Sequence, residues 1–186
     1  MSGLLVTFEG GEGSGKSTQL ERLAGRFRAR GIDPLVTREP GGTPLAEAVR
    51  ALLLDPARRL GPMAEAFLME AARADLVANV IRPAIESGRV VLSDRYDDST
   101  LAYQGAGRGI DAGILADMNR AATGGLKPDL TLLYDLDPEI GIARRERAGG
   151  ATSRLDREPL EFHRRVRAHY LQLAAREAHR FVVLDA

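Results

Sequence analysis

The stretch Gly10-Gly11-Glu12-Gly13-Ser14-Gly15-Lys16-Ser17 decides how this chain reads. It fits G-x-x-x-x-G-K-[ST], the phosphate-binding P-loop. Its flanks fit as well. Leu4-Leu5-Val6-Thr7-Phe8 before it is an apolar run of strand length. After it, Leu20, Leu23, Ala24 and Phe27 recur at helical spacing within Ser17–Arg30. Strand, glycine-rich turn, helix is the order the chemistry needs. The glycines let backbone N–H groups curl inward around phosphate oxygens, and the helix N-terminus adds its partial positive charge there. The candidate nucleotide-binding set is Gly10, Gly11, Glu12, Gly13, Ser14, Gly15, Lys16, Ser17 and Thr18. Lys16 would reach the β- and γ-phosphates, and the Ser17 hydroxyl would ligate Mg²⁺. A glycine-rich turn with a chance lysine is the competing reading. Against it, only Lys16 and Lys127 are lysine among 26 Lys and Arg residues. A lysine stands at the one place that calls for a compact point charge.

The 186 residues suffice for one α/β domain with a sizeable core. Hydrophobic residues make up 44% and charged ones 28%, ordinary for a soluble protein. A net charge of +0 gives no bulk reason to expect nucleic-acid or membrane binding. With no cysteine, disulfides, Cys-ligated zinc and a thiol nucleophile are excluded. The N-terminus enters the first strand with no signal peptide, so the expectation is a cytoplasmic, ATP-using enzyme.

Strand-length runs at Leu4–Phe8, Leu35–Arg38, Val90–Ser93, Leu130–Leu136 and Phe181–Leu184 alternate with helical stretches. The helices read as Ser17–Arg30, Leu45–Leu54, Met63–Ser87, Ala112–Ala122, Pro138–Arg147 and Pro159–Ala178. This pattern predicts a parallel sheet covered on both faces, with the ligand site at the carboxyl ends of its strands. The residues after each strand therefore become candidates. Arg38-Glu39-Pro40-Gly41-Gly42 forms a tight turn whose charged pair suits a polar ligand. In Ser93-Asp94-Arg95-Tyr96, Asp94 is the natural Mg²⁺ partner, and the planar fork of Arg95 suits phosphate; a structural Asp–Arg pair is the alternative. If helical, Thr100, Tyr103 and Gln104 share a face and either read a base and sugar or simply pack. Met69 and Arg73 share a face four residues apart. Arg73 is either a surface residue or a ligand in the cleft.

Between Ala143 and Tyr170 the chain is crowded with arginine around the small stretch Ala148-Gly149-Gly150-Ala151-Thr152-Ser153. A hinged, Arg-bearing flap over about 144–158 reads as a phosphoryl-transfer lid, with Arg144, Arg147 and Arg154 as its candidates. Arg164, Arg165 and Arg167 read instead as a solvated helix face, some spaced to pair with Glu158 and Glu161.

Taken together, Phe8-Glu9-Gly10, the P-loop, Thr37-Arg38-Glu39-Pro40-Gly41-Gly42-Thr43, Ser93-Asp94-Arg95-Tyr96, Ala102-Tyr103-Gln104-Gly105 and Leu155-Asp156-Arg157-Glu158 strongly resemble bacterial thymidylate kinase. The resemblance covers almost the whole chain, in order. It implies one P-loop NTPase domain over residues 1–186, three-layered, with a five-stranded parallel sheet and a helical lid. It implies a homodimer with ATP and Mg²⁺ as cofactors and the reaction ATP + dTMP → ADP + dTDP. By position, Glu12 would contact the sugar 3′-OH or the metal, and Arg95 would clamp the dTMP phosphate. Arg73 would bond thymine O4, Thr100 the ring N3, and Tyr103 would exclude a ribose 2′-OH. Glu39, Met69 and Gln104 complete the implied substrate set, and the Glu39-Pro40 bond is cis in the family. The P-loop has no arginine, so the resemblance implies a catalytic arginine from the lid, Arg147 or Arg154, with Arg144 toward ATP. Two departures stand out. Met69 occupies the place of a Phe that stacks on thymine. The chain stops at Ala186, where the family continues with an adenine-contacting loop and a final helix; by that comparison, the last helix is missing or the adenine pocket incomplete. The rivals are a deoxynucleoside kinase, which has no acceptor phosphate for Arg95 to clamp, and a non-catalytic nucleotide switch. Neither N-K-x-D nor LSGGQ occurs in the chain.

Overall fold

The computed structural model describes residues 3–149 and 153–186. Five strands form one parallel sheet: β1 (Leu4–Gly10), β2 (Leu35–Arg38), β3 (Val90–Asp94), β4 (Leu130–Asp135) and β5 (Phe181–Asp185). Their order is β2-β3-β1-β4-β5. The register pairs Phe8 with Asp94 and Gly10 with Tyr134, so the P-loop leaves the middle strand beside the end of β3. Both faces of β1 are buried, which is why its apolar run is continuous rather than alternating. Val6 and Phe8 pack with Leu20 and Ala24 of α1 (Lys16–Arg28). Leu5, on the other face, joins Leu76, Ile81 and Val91. A third cluster on α8 (Leu160–Arg176), containing Phe162, Val166 and Tyr170, packs on Tyr103 and Leu133. Burying a side chain such as Phe8 contributes roughly 1.5–3 kcal/mol, and these clusters hold the strand ends in place.

The periodic run read as one helix over Met63–Ser87 is interrupted. It is α3 (Pro62–Leu76), a π-helical stretch Val77–Ile81, and α4 (Arg82–Glu86). Pro83 has no N–H to donate, and its ring crowds the carbonyl of Asn79; the wider winding accommodates both. A second π-helical stretch, Leu101–Gly107, follows the short α5 (Asp97–Thr100) and carries Tyr103 and Gln104. The remaining helices are α2 (Pro44–Leu54), α6 (Ala112–Thr123) and α7 (Pro138–Ala148). Strand β4 ends one residue earlier than the sequence run, at Asp135. In the lid region the chain runs from α7 to a 3₁₀ turn at Leu155–Arg157; Gly150, Ala151 and Thr152 lie outside the described residues.

Candidate active site

Gly10, Gly13 and Gly15 have φ of 137°, 68° and 83°, values that only glycine adopts freely, and they curl the loop around the N-terminus of α1. Close packing locks the curl from behind. A Cβ on Gly13 would stand 2.2 Å from the carbonyl oxygen of Gly141 in α7, and one on Gly141 would stand 2.2 Å from that of Glu12. Lys16 Nζ folds back and donates to Gly11 O at 2.7 Å and Ser14 Oγ at 3.3 Å. Burial, with Arg95 nearby, pushes the Lys16 ammonium down to about 8. Ser17 Oγ donates to Asp94 Oδ2 at 2.5 Å.

A cavity of about 540 Å³ opens in front of this loop. Six cationic side chains line it (Lys16, Arg38, Arg50, Arg95, Arg144 and Arg145), against three carboxylates (Glu12, Glu39 and Asp94). That balance suits a polyphosphate. A neighbouring cavity of about 130 Å³ lies between α3, the second π-stretch and the lid segment Ser153–Asp156. Met69, Tyr103 and Gln104 line it with Leu53 and Leu54 of α2. Glu12, Glu39, Arg50, Arg95 and Arg145 line both cavities, so the two meet there.

Arg95 stands at that junction. It is the one described residue other than glycine with a positive φ, 73°, a conformation that costs ~1–3 kcal/mol and concentrates at functional sites. Its N–H donates to Phe8 O at 3.0 Å, and Ser93 Oγ donates to its carbonyl at 2.7 Å. Arg95 Nη2 donates to Glu12 Oε1 and to Tyr103 OH, each at 2.9 Å. Arg95 Nη1 donates to Ser99 Oγ and Tyr170 OH at 3.3 Å. Burial pushes the Glu12 carboxyl up, but Arg95 and Lys16 outweigh it and bring the group down to about 2. Behind Arg95 sits Glu9, fully buried. Its carboxylate accepts from Tyr96 N at 2.8 Å and from Ser99 Oγ and Tyr170 OH at 2.7 Å. Burial pushes it up to about 7 against the pull of Arg95.

Other positions fall differently from their grouping in the sequence. Arg73 is 1% exposed and lines neither cavity. Its N–H groups are committed to Glu39, Glu70, Thr100, Asn119 and the carbonyl of Tyr96. Thr100 is likewise buried behind the wall, donating to Glu70. Thr100, at the end of α5, thus stays behind the wall while Tyr103 and Gln104 of the π-stretch line the smaller cavity, so the three do not share one face. Glu39 Oε2 holds Arg73, while Oε1 is buried and unpartnered among the described residues; burial pushes this carboxyl up to about 7. The Glu39-Pro40 bond is cis. In the lid, Arg144 lines the P-loop cavity, Arg147 is exposed and lines neither cavity, and Arg154 lines the smaller cavity, donating to Glu65 Oε2 at 2.6 Å. Arg164 pairs with Glu161 as its spacing predicts, but Glu158 pairs with Arg108. Arg165 donates to the carbonyls of Ala106 and Gly107, and Arg167 pairs with Asp135. Sequence reading did not single out Arg50, Glu65, Arg145 or Gly141, and held Glu9 only within the motif Phe8-Glu9-Gly10, with no role of its own. No motif marks the other four, since only the folded chain brings them to the site.

Comparison with known proteins agrees with this geometry. The family model described as thymidylate kinase matches residues 8–186. A thymidylate kinase of Deinococcus radiodurans is 54% identical over 184 residues, covering 99% of this chain and 89% of that protein. One from Thermomicrobium roseum is 56% identical over 181 residues, covering 97% and 86%. Among solved structures, the crystal structure of thymidylate kinase from Ehrlichia chaffeensis superimposes with a TM-score of 0.82 at 33% identity, covering 99% of this chain and 93% of that one. With the P-loop, the junction arginine and the second cavity in place, the chain belongs to the thymidylate kinase family.

Proposed function

We propose that this protein transfers the γ-phosphoryl group of ATP to dTMP, giving ADP and dTDP. The observation that carries the reading is the shared wall of the two cavities. A P-loop cavity rich in cations meets a smaller, part-apolar one at Arg95 and Glu12. Two nucleotides seated there bring phosphate to phosphate, and positioning plus charge neutralisation supply most of the catalysis for such a transfer.

Lys16 moves from its contacts with Gly11 and Ser14 onto the β- and γ-phosphates. Arg95 exchanges Glu12 for the acceptor phosphate and holds it in line. Tyr103 stands beside the sugar, and Met69 and Gln104 beside the base. Arg73, Thr100 and Glu39 back that wall, and their network opens to the pyrimidine or supports the residues that touch it. Arg144 faces the ATP phosphates, and when the lid moves Arg147, with Arg154 once it leaves Glu65, completes the charge. Among the described residues no cluster of three or more His, Asp or Glu could hold a metal alone, which suits Mg²⁺, an ion that keeps waters and takes one or two protein ligands plus phosphates. The hard oxygens of Ser17 and Asp94 fit that ion and would hold it. When bound, Mg²⁺ neutralises charge on the β- and γ-phosphates.

The protein acts as a cytoplasmic homodimer in this reading. No helix among the described residues is long and apolar enough to cross a membrane. Leu45 of α2, Met63 and Phe67 of α3 and Ile114 of α6 are exposed on adjacent helices, with Phe67 59% exposed. That apolar surface fits a second copy.

A coupled ADP-release assay with ATP and Mg²⁺ tests the function, comparing dTMP, dUMP, dCMP, thymidine and no acceptor. Turnover on dTMP and none on thymidine is expected. Turnover on thymidine would reassign the protein as a nucleoside kinase, and acceptor-independent turnover would make it a nucleotide switch.

A further inference from the structure

Glu65 lies in the first turn of α3 and is 1% exposed. A buried carboxylate needs partners, and Glu65 has three: Gln104, Arg108 and Arg154. Oε1 accepts from Gln104 Nε2 at 2.7 Å and from Arg108 Nε at 3.2 Å. Oε2 accepts from Arg154 Nη2 at 2.6 Å. Arg108 in turn pairs with Glu158 at 2.7 Å. Gln104 and Arg154 both line the smaller cavity, whose roof includes Ser153, Leu155 and Asp156.

Two consequences follow. Because Glu65 engages the Gln104 nitrogen, the amide cannot flip without bringing two acceptors together. Gln104 Oε1 is left buried and unpartnered among the described residues. And because the same carboxylate holds Arg154, the segment Ser153–Asp156 is fastened over the cavity, helped by Arg154 N–H donating to Leu54 O at 3.2 Å.

We propose that Glu65 is a positioning residue that fixes the orientation of the Gln104 amide in the wall of the smaller cavity and, through Arg154, ties the lid segment 153–158 down over it. The part of this that concerns substrate rests on reading that cavity as the dTMP compartment. The tie itself does not, since it rests only on contacts among Glu65, Arg154 and Leu54. Glu65 touches no reacting atom. It makes recognition of the base and closure of the lid depend on one carboxylate, so loosening either loosens the other.

The test measures the lid first without nucleotide. The amides of Ser153, Arg154, Asp156, Arg157 and Glu158 are all hydrogen-bonded, so their hydrogen exchange reports the tie. In Glu65→Gln, exchange over 153–158 should accelerate at least about tenfold while β3 amides stay within about twofold. Arg154→Ala should do the same from the lid side and serves if Glu65→Gln does not fold. The double variant should be no faster than the faster single. Lid exchange within about twofold of wild type in these variants, or multiplicative effects in the double, would overturn the proposal. In the assay, Glu65→Gln should raise KM for dTMP about tenfold with kcat and KM for ATP changed much less, a split that general destabilisation would not produce; unchanged KM for dTMP would overturn the role toward Gln104. No dTMP turnover by the wild-type chain would sink the reading of the cavity, and the exchange arm would still decide the tie.

Discussion

Arg95 Nη2 donates to Glu12 Oε1 at 2.9 Å, at the junction of the two cavities. In the proposed reading, Arg95, held in a strained backbone and paired with the P-loop glutamate, exchanges that carboxylate for an anion of the same geometry. Arg95→Ala should lower kcat/KM for dTMP by about 10²–10³, in line with the ~2–5 kcal/mol lost on truncating one partner of a buried charged pair. Arg95→Lys should recover little, because an ammonium cannot reproduce the fork. ATP affinity should change only a few-fold. Steady-state kinetics with ATP titration calorimetry checks this; equal losses for both substrates would remove Arg95 from the acceptor side.

Glu9 is buried and its carboxyl is raised from 4.5 to about 7. The folded state therefore holds a proton that the unfolded chain has released between those pH values. Stability from this group is full below about pH 4.5 and is lost as pH rises through about 7. Glu9→Gln keeps the hydrogen bond from Tyr96 N–H on its amide oxygen, places an NH₂ donor against the Ser99 and Tyr170 hydroxyls, and carries no charge. Its stability relative to wild type should improve between pH 4.5 and 8, by up to ~3 kcal/mol, since each pK unit is worth about 1.36 kcal/mol. Thermal midpoints of both proteins across that range would show it. A constant difference between them would mean the carboxyl titrates normally.

Met69 and Phe67 stand on different faces of α3. Met69 is 8% exposed and faces the smaller cavity, while Phe67 is 59% exposed on another face of α3. Met69→Phe should lower KM for dTMP two- to tenfold, since an aromatic pair adds about 0.5–1.5 kcal/mol beyond area. Phe67→Glu should leave dTMP kinetics intact at high protein concentration and shift the chain toward monomer by sedimentation. Loss of dTMP affinity in Phe67→Glu with an unchanged oligomeric state would reverse the assignment.

Gly141 of α7 touches the backbone of the P-loop, with room for no Cβ. Gly141→Ala should push the loop off α7, at a cost of about 1–3 kcal/mol for overpacking. KM for ATP should rise about tenfold or more while KM for dTMP moves less. An unchanged KM for ATP would show that the loop keeps its curl without this support.

The P-loop, the strand-end candidates and the parallel sheet were legible because each is a local rule: glycine at positive φ, a buried strand written as an apolar run, a charge at a strand's carboxyl end. Lys16, Ser17, Asp94 and Arg95 meet at one cleft for that reason. What spacing could not resolve is where a helix changes its winding. One π-stretch breaks the run read as Met63–Ser87, and the other begins just after Thr100, which stays behind the wall while Tyr103 and Gln104 line it. Nor could spacing show that Arg73 is consumed by Glu39 and Glu70, or that Arg154 is held by Glu65. Buried charges choose partners by proximity across elements distant in the chain. The sequence by itself determined the chemistry this protein can do. Only the tertiary structure decided which charges stay free for the nucleotides and which neutralise one another, because desolvation makes every buried charge claim the nearest opposite one.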